Sequence, residues 1–115
     1  MHFSDNLIRG TVAPMVLAML AERPMYGYEI IKLVNARTGG KLQWKEGTLY
    51  PALHRMQADG LLTAAWEEAP TDADAAGRKR KYYHITRKGR AHLARQAKQW
   101  KELAEAVDAV MLRWC

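Results

Sequence analysis

Cysteine is almost absent from this chain of 115 residues: Cys115 is the only one, which excludes an internal disulfide and a cysteine-rich zinc site. Long apolar runs are absent too. The longest, residues 12–21, is broken by Pro14 and falls short of the roughly 18–20 residues that a membrane span needs. Asp5 and Arg9 precede it and no small-residue cleavage site follows, so no secretory signal is expected. A reduced, cytoplasmic protein without membrane association fits these absences. The four histidines, His2, His54, His84 and His92, show no metal-ligand spacing on one element. No glycine-rich phosphate loop is present. The sole thiol is the last residue, a poor place to preorganise a nucleophile. Glu67 and Glu68 are neighbours that a strand would turn to opposite faces. No catalytic residue, metal or cofactor is therefore expected, and the chain does not read as an enzyme.

Acid is scarce where base is dense. The chain holds 18 Lys and Arg against 12 Asp and Glu, a net charge of +6. Arg78, Lys79, Arg80, Lys81, Arg87, Lys88, Arg90, Arg95, Lys98 and Lys101 follow one another without an intervening carboxylate. Such a concentrated field draws in polyanions over a Debye length, roughly 8 Å at physiological salt. A surface that only keeps the protein soluble is the plainer alternative.

Hydrophobic spacing supplies the elements of a single domain. A first helix is expected over residues 11–21, with Thr11 as N-cap and Pro14 in the first turn, where its missing N–H costs no helical bond. Val16, Leu17, Met19 and Leu20 cover more than one face, so this helix should be well buried. A second helix over residues 26–38 has Ile30, Ile31 and Val34 as its stripe and Gly39-Gly40 as its stop. A third runs over residues 47–59, its start marked by Pro51 in the first turn, and ends at Gly60. Leu49, Leu53 and Met56 turn inward, leaving Tyr50, His54, Arg55 and Gln57 outward. Residues 62–68 and 80–86 alternate with period two and form a hairpin, with Leu62, Ala64 and Trp66 on one face. Residues 69–77 are its long tip. Thr86 then caps a last helix over residues 87–114. The fold class is mainly α with a small β-hairpin (α+β): a winged helix-turn-helix over residues 1–86, and a long C-terminal helix over residues 87–115, within one structural unit.

Four stretches carry a family resemblance. Pro24-Met-Tyr-Gly-Tyr-Glu-Ile30 resembles the second-helix signature of the PadR-type transcriptional regulators. Glu46-Gly-Thr-Leu-Tyr-Pro-Ala-Leu-His-Arg-Met56 resembles their recognition helix, and Asp59-Gly-Leu-Leu62 its exit. Gly77-Arg-Lys-Arg-Lys-Tyr-Tyr-His-Ile-Thr86, followed by Gly89, resembles their wing and the entry to the last helix. The short tail resembles the subgroup with a single C-terminal helix. Pro14, Arg23 and Lys79 depart from the usual aliphatic residue, glycine and proline, the last implying a looser, more basic wing. The resemblance implies a dimeric, cytoplasmic DNA-binding regulator, commonly a repressor released by a small molecule.

The recognition helix of such a motif enters the major groove. Thr48, Tyr50, His54 and Arg55 are its candidate DNA contacts, Arg55 for guanine and Thr48 for a phosphate beside the helix N-terminus. Arg78, Lys79, Arg80 and Lys81 on the wing are candidate phosphate contacts. Tyr26, Tyr28 and Trp44 are assigned to core and rim packing. On the last helix Leu93, Ala97, Trp100, Ala104, Val107, Met111 and Trp114 alternate at spacings of four and three, a coiled-coil seam that Leu103 and Val110 widen. A homodimer on a palindromic operator in double-stranded DNA follows. Trp100, between two alanines, is a possible site for a planar aromatic effector, with plain interface packing as the alternative. The rival in another class is a winged-helix adaptor that binds protein or RNA.

Overall fold

A computed structural model describes residues 3–8, 10–68 and 79–114. The elements run α1 (Asp5–Ile8), α2 (Val12–Glu22), β1 (Met25–Tyr26), α3 (Gly27–Arg37), α4 (Glu46–Ala58), β2 (Leu62–Glu68), β3 (Lys79–Ile85) and α5 (Arg87–Met111). A 3₁₀ turn over Leu112–Trp114 follows. The α+β winged helix-turn-helix architecture and the long terminal helix are as the sequence predicts.

Three helices close around one core. Val16, Leu17 and Leu20 of α2, Ile30 and Val34 of α3, and Leu49 and Leu53 of α4 are fully or almost fully buried. Met25, Leu62 and Tyr83 complete it from the sheet. β3 is the central strand, antiparallel to β1 on one side and β2 on the other. β1 and α1 go beyond what the sequence predicts. β1 is two residues long and exists through the pairing of Met25 with Tyr83 and Tyr26 with Tyr82, a non-local contact with no local pattern.

Helix ends follow side-chain chemistry. Thr38 Oγ1 donates to the Val34 carbonyl at 2.8 Å and accepts the Leu42 N–H at 3.0 Å, tying the end of α3 to the connection before α4. Gly39, Gly40 and Gly60 take positive φ of 61°, 81° and 78°, a left-handed conformation that side chains disfavour. Thr86 caps α5 by accepting the Gly89 N–H at 3.0 Å. Pro51 requires a correction. α4 begins at Glu46, so Pro51 is its sixth residue rather than part of the first turn, and it leaves the Gly47 carbonyl without its usual helical donor.

Burial limits one sequence pattern and corrects one expectation. Trp66 shares a face with Leu62 and Ala64 but is 67% exposed, because the hairpin outruns the core beneath it. Tyr28 is 60% exposed and lies under the Lys32 ammonium, 5.5 Å from the ring centroid, so it is a surface residue rather than packing. Trp44 is buried as expected. The last helix is also shorter than predicted: regular α5 has 25 residues, about 38 Å at ~1.5 Å per residue. Its last turn tightens into the 3₁₀ form, as helix ends often do. Only the first part of α5 packs on the domain, chiefly against α2, and the molecule extends 56 × 31 × 22 Å.

Candidate nucleic-acid interface

α4 presents two polar edges on either side of the surface opposite its buried stripe. Thr48, Ala52 and Arg55, at i, i+4 and i+7, share one edge by helical periodicity. That edge walls a cleft of about 740 Å³, together with Lys41 and Lys45 from the segment that leads into the helix. Lys41, Lys45 and Arg55 are all exposed, and among the described residues no carboxylate pairs with them. The N-terminus of α4 adds its own positive end to these three cations. Thr48 brings a hydroxyl rather than a backbone donor, because its N–H already donates to the Lys45 carbonyl at 2.9 Å.

Tyr50, His54 and Gln57 form the second edge. His54 and Gln57 are exposed as predicted. Tyr50 is not outward: it is half-buried, and its ring covers Gly27 so closely that a Cβ there would lie 2.3 Å from the phenol oxygen. Tyr50 also stands near Tyr83, whose phenol is held above its ordinary value first by burial and then by Tyr50. The recognition-helix edge, the start of α3 and the base of the wing thus meet at these two tyrosines.

The wing divides its charges between two faces. On one, the Arg80 guanidinium stacks 4.4 Å from the Tyr26 ring centroid, and Tyr26 meets Tyr82 edge-on at 5.6 Å. On that face His84 Nε2 lies 2.8 Å from Glu67 Oε1. On the other are Lys79 and Lys81, with the Lys81 ammonium 5.8 Å from the Tyr83 ring. Arg78 lies outside the described residues. Arg80 is therefore laid against the domain, while Lys79 is exposed. Tyr28 of α3 is distinguished from a packing residue only by its exposure, not by its spacing.

A protein-family model, the Transcriptional regulator PadR-like family, matches residues 16–95, which spans α2 to the first third of α5. The chain belongs to the PadR-like family. This PadR-like regulator is 46% identical over 106 residues to Transcriptional regulator Rv3488 of Mycobacterium tuberculosis, covering 92% of this chain and 75% of that one. Its fold resembles a transcriptional regulator from Clostridium thermocellum, with a TM-score of 0.82 at 28% identity, covering 93% and 99% of the two chains. A PadR-like transcription factor from Bacteroides fragilis is 37% identical with a TM-score of 0.69, over 91% and 94%. The family's work is transcriptional regulation rather than catalysis. Among the described residues no helix is long and apolar enough to cross a membrane.

Proposed function

We propose that this chain is a cytoplasmic homodimeric repressor that reads a palindromic operator in double-stranded DNA and is relieved by a planar aromatic effector. The observation that carries the DNA reading is the cationic edge of α4, where Arg55, Lys41 and Lys45 surround Thr48 without carboxylate partners among the described residues. Phosphate oxygens satisfy such donors, and base edges in the major groove suit Arg55 and His54. Lys79 and Lys81, with Arg78, supply the sequence-independent share.

Dimerisation has its own support. Trp100, Leu103, Val110, Met111 and Trp114 are each more than half exposed, and Val107 with Ala97 continues the stripe. A single chain leaves this apolar surface in water; a second copy around a two-fold axis covers it. Residues 1–86 then bind DNA and residues 87–115 pair the subunits.

The effector reading rests on an apolar groove of about 490 Å³ between α1, α2 and α5, with Leu7, Met15, Leu93, Ala97 and Trp100 in its wall. Gln96 also lines it, and its buried amide oxygen has no hydrogen-bond partner among the described residues. A flat apolar molecule with one N–H or O–H suits that lining. Titration with planar aromatic dyes should quench tryptophan emission saturably in the wild type and not in a still-dimeric Trp100→Ala variant. Quenching unchanged by the substitution refutes the effector site. For DNA, affinity for random duplexes should fall steeply with salt; a flat response, with binding to single-stranded RNA or to a protein instead, favours the adaptor reading.

A further inference from the structure

Trp66 is a large indole left in water on the distal half of the wing, 67% exposed and outside the core. Its place is defined by strand register. Leu62 pairs with Ile85, Ala64 with Tyr83, Trp66 with Lys81 and Glu68 with Lys79, and alternate residues share a face. Tyr83 on that face is buried beside Tyr50 of α4. Trp66 therefore lies on the side of the sheet that α4 occupies, about 7 Å further along the strand than Ala64 at ~3.3 Å per residue. Among the described residues, two ammonium groups, Lys79 and Lys81, and one carboxylate, Glu68, share this end of the face with it. Glu67 is turned to the opposite face, toward His84.

We infer that Trp66 is an apolar DNA contact, its indole packing on deoxyribose and base edges of the minor groove next to the major groove that α4 reads. The inference rests on the DNA-binding reading above and adds a residue and a chemistry to it. Apolar side chains of DNA-binding proteins insert or pack in the minor groove, where sugars and base edges offer apolar surface. A wing side chain on the face of α4, flanked by two amines that hold it near phosphates, is placed for that contact. A lysine-only wing gives attraction without shape; the indole gives a rigid surface that gains by leaving water.

Binding of wild type, Trp66→Ala, Trp66→Phe and Lys81→Gln to a fluorescent random-sequence duplex, measured over a range of salt, tests this. Trp66→Ala should weaken binding about tenfold, the loss expected when a large aromatic no longer leaves water, with the salt slope unchanged. Trp66→Phe should keep most of the affinity, and Lys81→Gln should reduce the slope by about 1. The Trp66 emission, taken as wild type minus Trp66→Phe, should become shielded from acrylamide on DNA and lose that shielding when a minor-groove-binding diamidine is bound first. Wild-type affinity in a folded Trp66→Ala protein, or acrylamide quenching that DNA does not change, overturns the contact. Shielding that persists with the diamidine bound overturns its minor-groove placement. Loss of dimer mass in Trp66→Ala also overturns it, as a subunit contact. Failure of the wild type to bind duplex DNA at all instead refutes the function proposed above.

Discussion

Alanine at position 89 puts a methyl group where the fold leaves no room for one. A Cβ on Gly89 would lie 2.3 Å from the Leu61 carbonyl oxygen and 2.8 Å from Ile85 Cγ1. The closer neighbour is backbone, and the same carbonyl accepts the Thr86 N–H at 3.0 Å. Relief requires the start of α5 to move away from Leu61, at the entry of β2. Overpacking of this kind costs about 1–3 kcal/mol, and weakening the Thr86 hydrogen bond adds roughly 1 kcal/mol. The better helix preference of alanine returns at most ~1 kcal/mol. The net loss is then about 1–3 kcal/mol, a fall in Tm of roughly 4–12 °C for a chain of this size. Gly47→Ala is the matched control, since nothing beyond its own stretch of helix lies within 4 Å of its added Cβ; its Tm should hold or rise. Thermal melts followed by circular dichroism at one fixed protein concentration decide the matter, because association makes Tm concentration-dependent. A Gly89→Ala protein that melts at or above the wild type refutes the reasoning.

Other expectations follow from the same geometry. Arg55→Ala should cost about 1–3 kcal/mol on specific DNA and relax sequence preference, whereas neutralising Lys79 and Lys81 together should weaken all duplexes alike and flatten the salt slope. Equal, sequence-blind losses from both changes contradict Arg55 as a base reader. Sedimentation at tens of micromolar should give a dimer for the wild type and a monomer for Val107→Glu with Val110→Glu; an unchanged mass in the variant removes α5 as the interface. The raised phenol of Tyr83 gives a pH dependence of known sign. The unfolded chain ionises this tyrosine near pH 10, the folded one above it, so its contribution is intact below pH 10 and is lost as pH rises through the folded value. Tyr83→Phe should flatten that alkaline decline in melts between pH 8 and 11, and an identical decline in both proteins contradicts the assignment.

How much the sequence reveals depends on whether the signal is local. Leu49, Leu53 and Met56 repeat at helical spacing within one segment, so α4 and its inward face are readable from the sequence alone. Leu62–Glu68 alternates, and β2 has those bounds. β1 is different, since Met25 and Tyr26 become a strand only by pairing with residues almost sixty positions away. Tyr50 shows the same limit. Periodicity places it on the edge of α4, but its burial depends on Gly27 offering a surface without a side chain, which one helix cannot report. Trp66 has the right alternation for the core and misses it because the strand runs past the helices. At the candidate interface Arg55 of α4 is legible by type and spacing, whereas Lys41 and Lys45 are missed, because only the fold brings the segment before α4 onto that edge. That Arg80 stacks on Tyr26 while Lys79 stays exposed is decided by the twist and register of the sheet.

Selection of bound sequences from a random duplex library by the full chain tests the central claim most directly, since it needs both a reading helix and a two-fold pair of them. The account predicts enrichment of a palindrome whose half-sites lie about one helical turn, ~34–36 Å, or a multiple of it apart, bound by the dimer with an affinity that falls steeply as salt rises. A pool that stays random after repeated rounds, or an enriched sequence without two-fold symmetry, contradicts it.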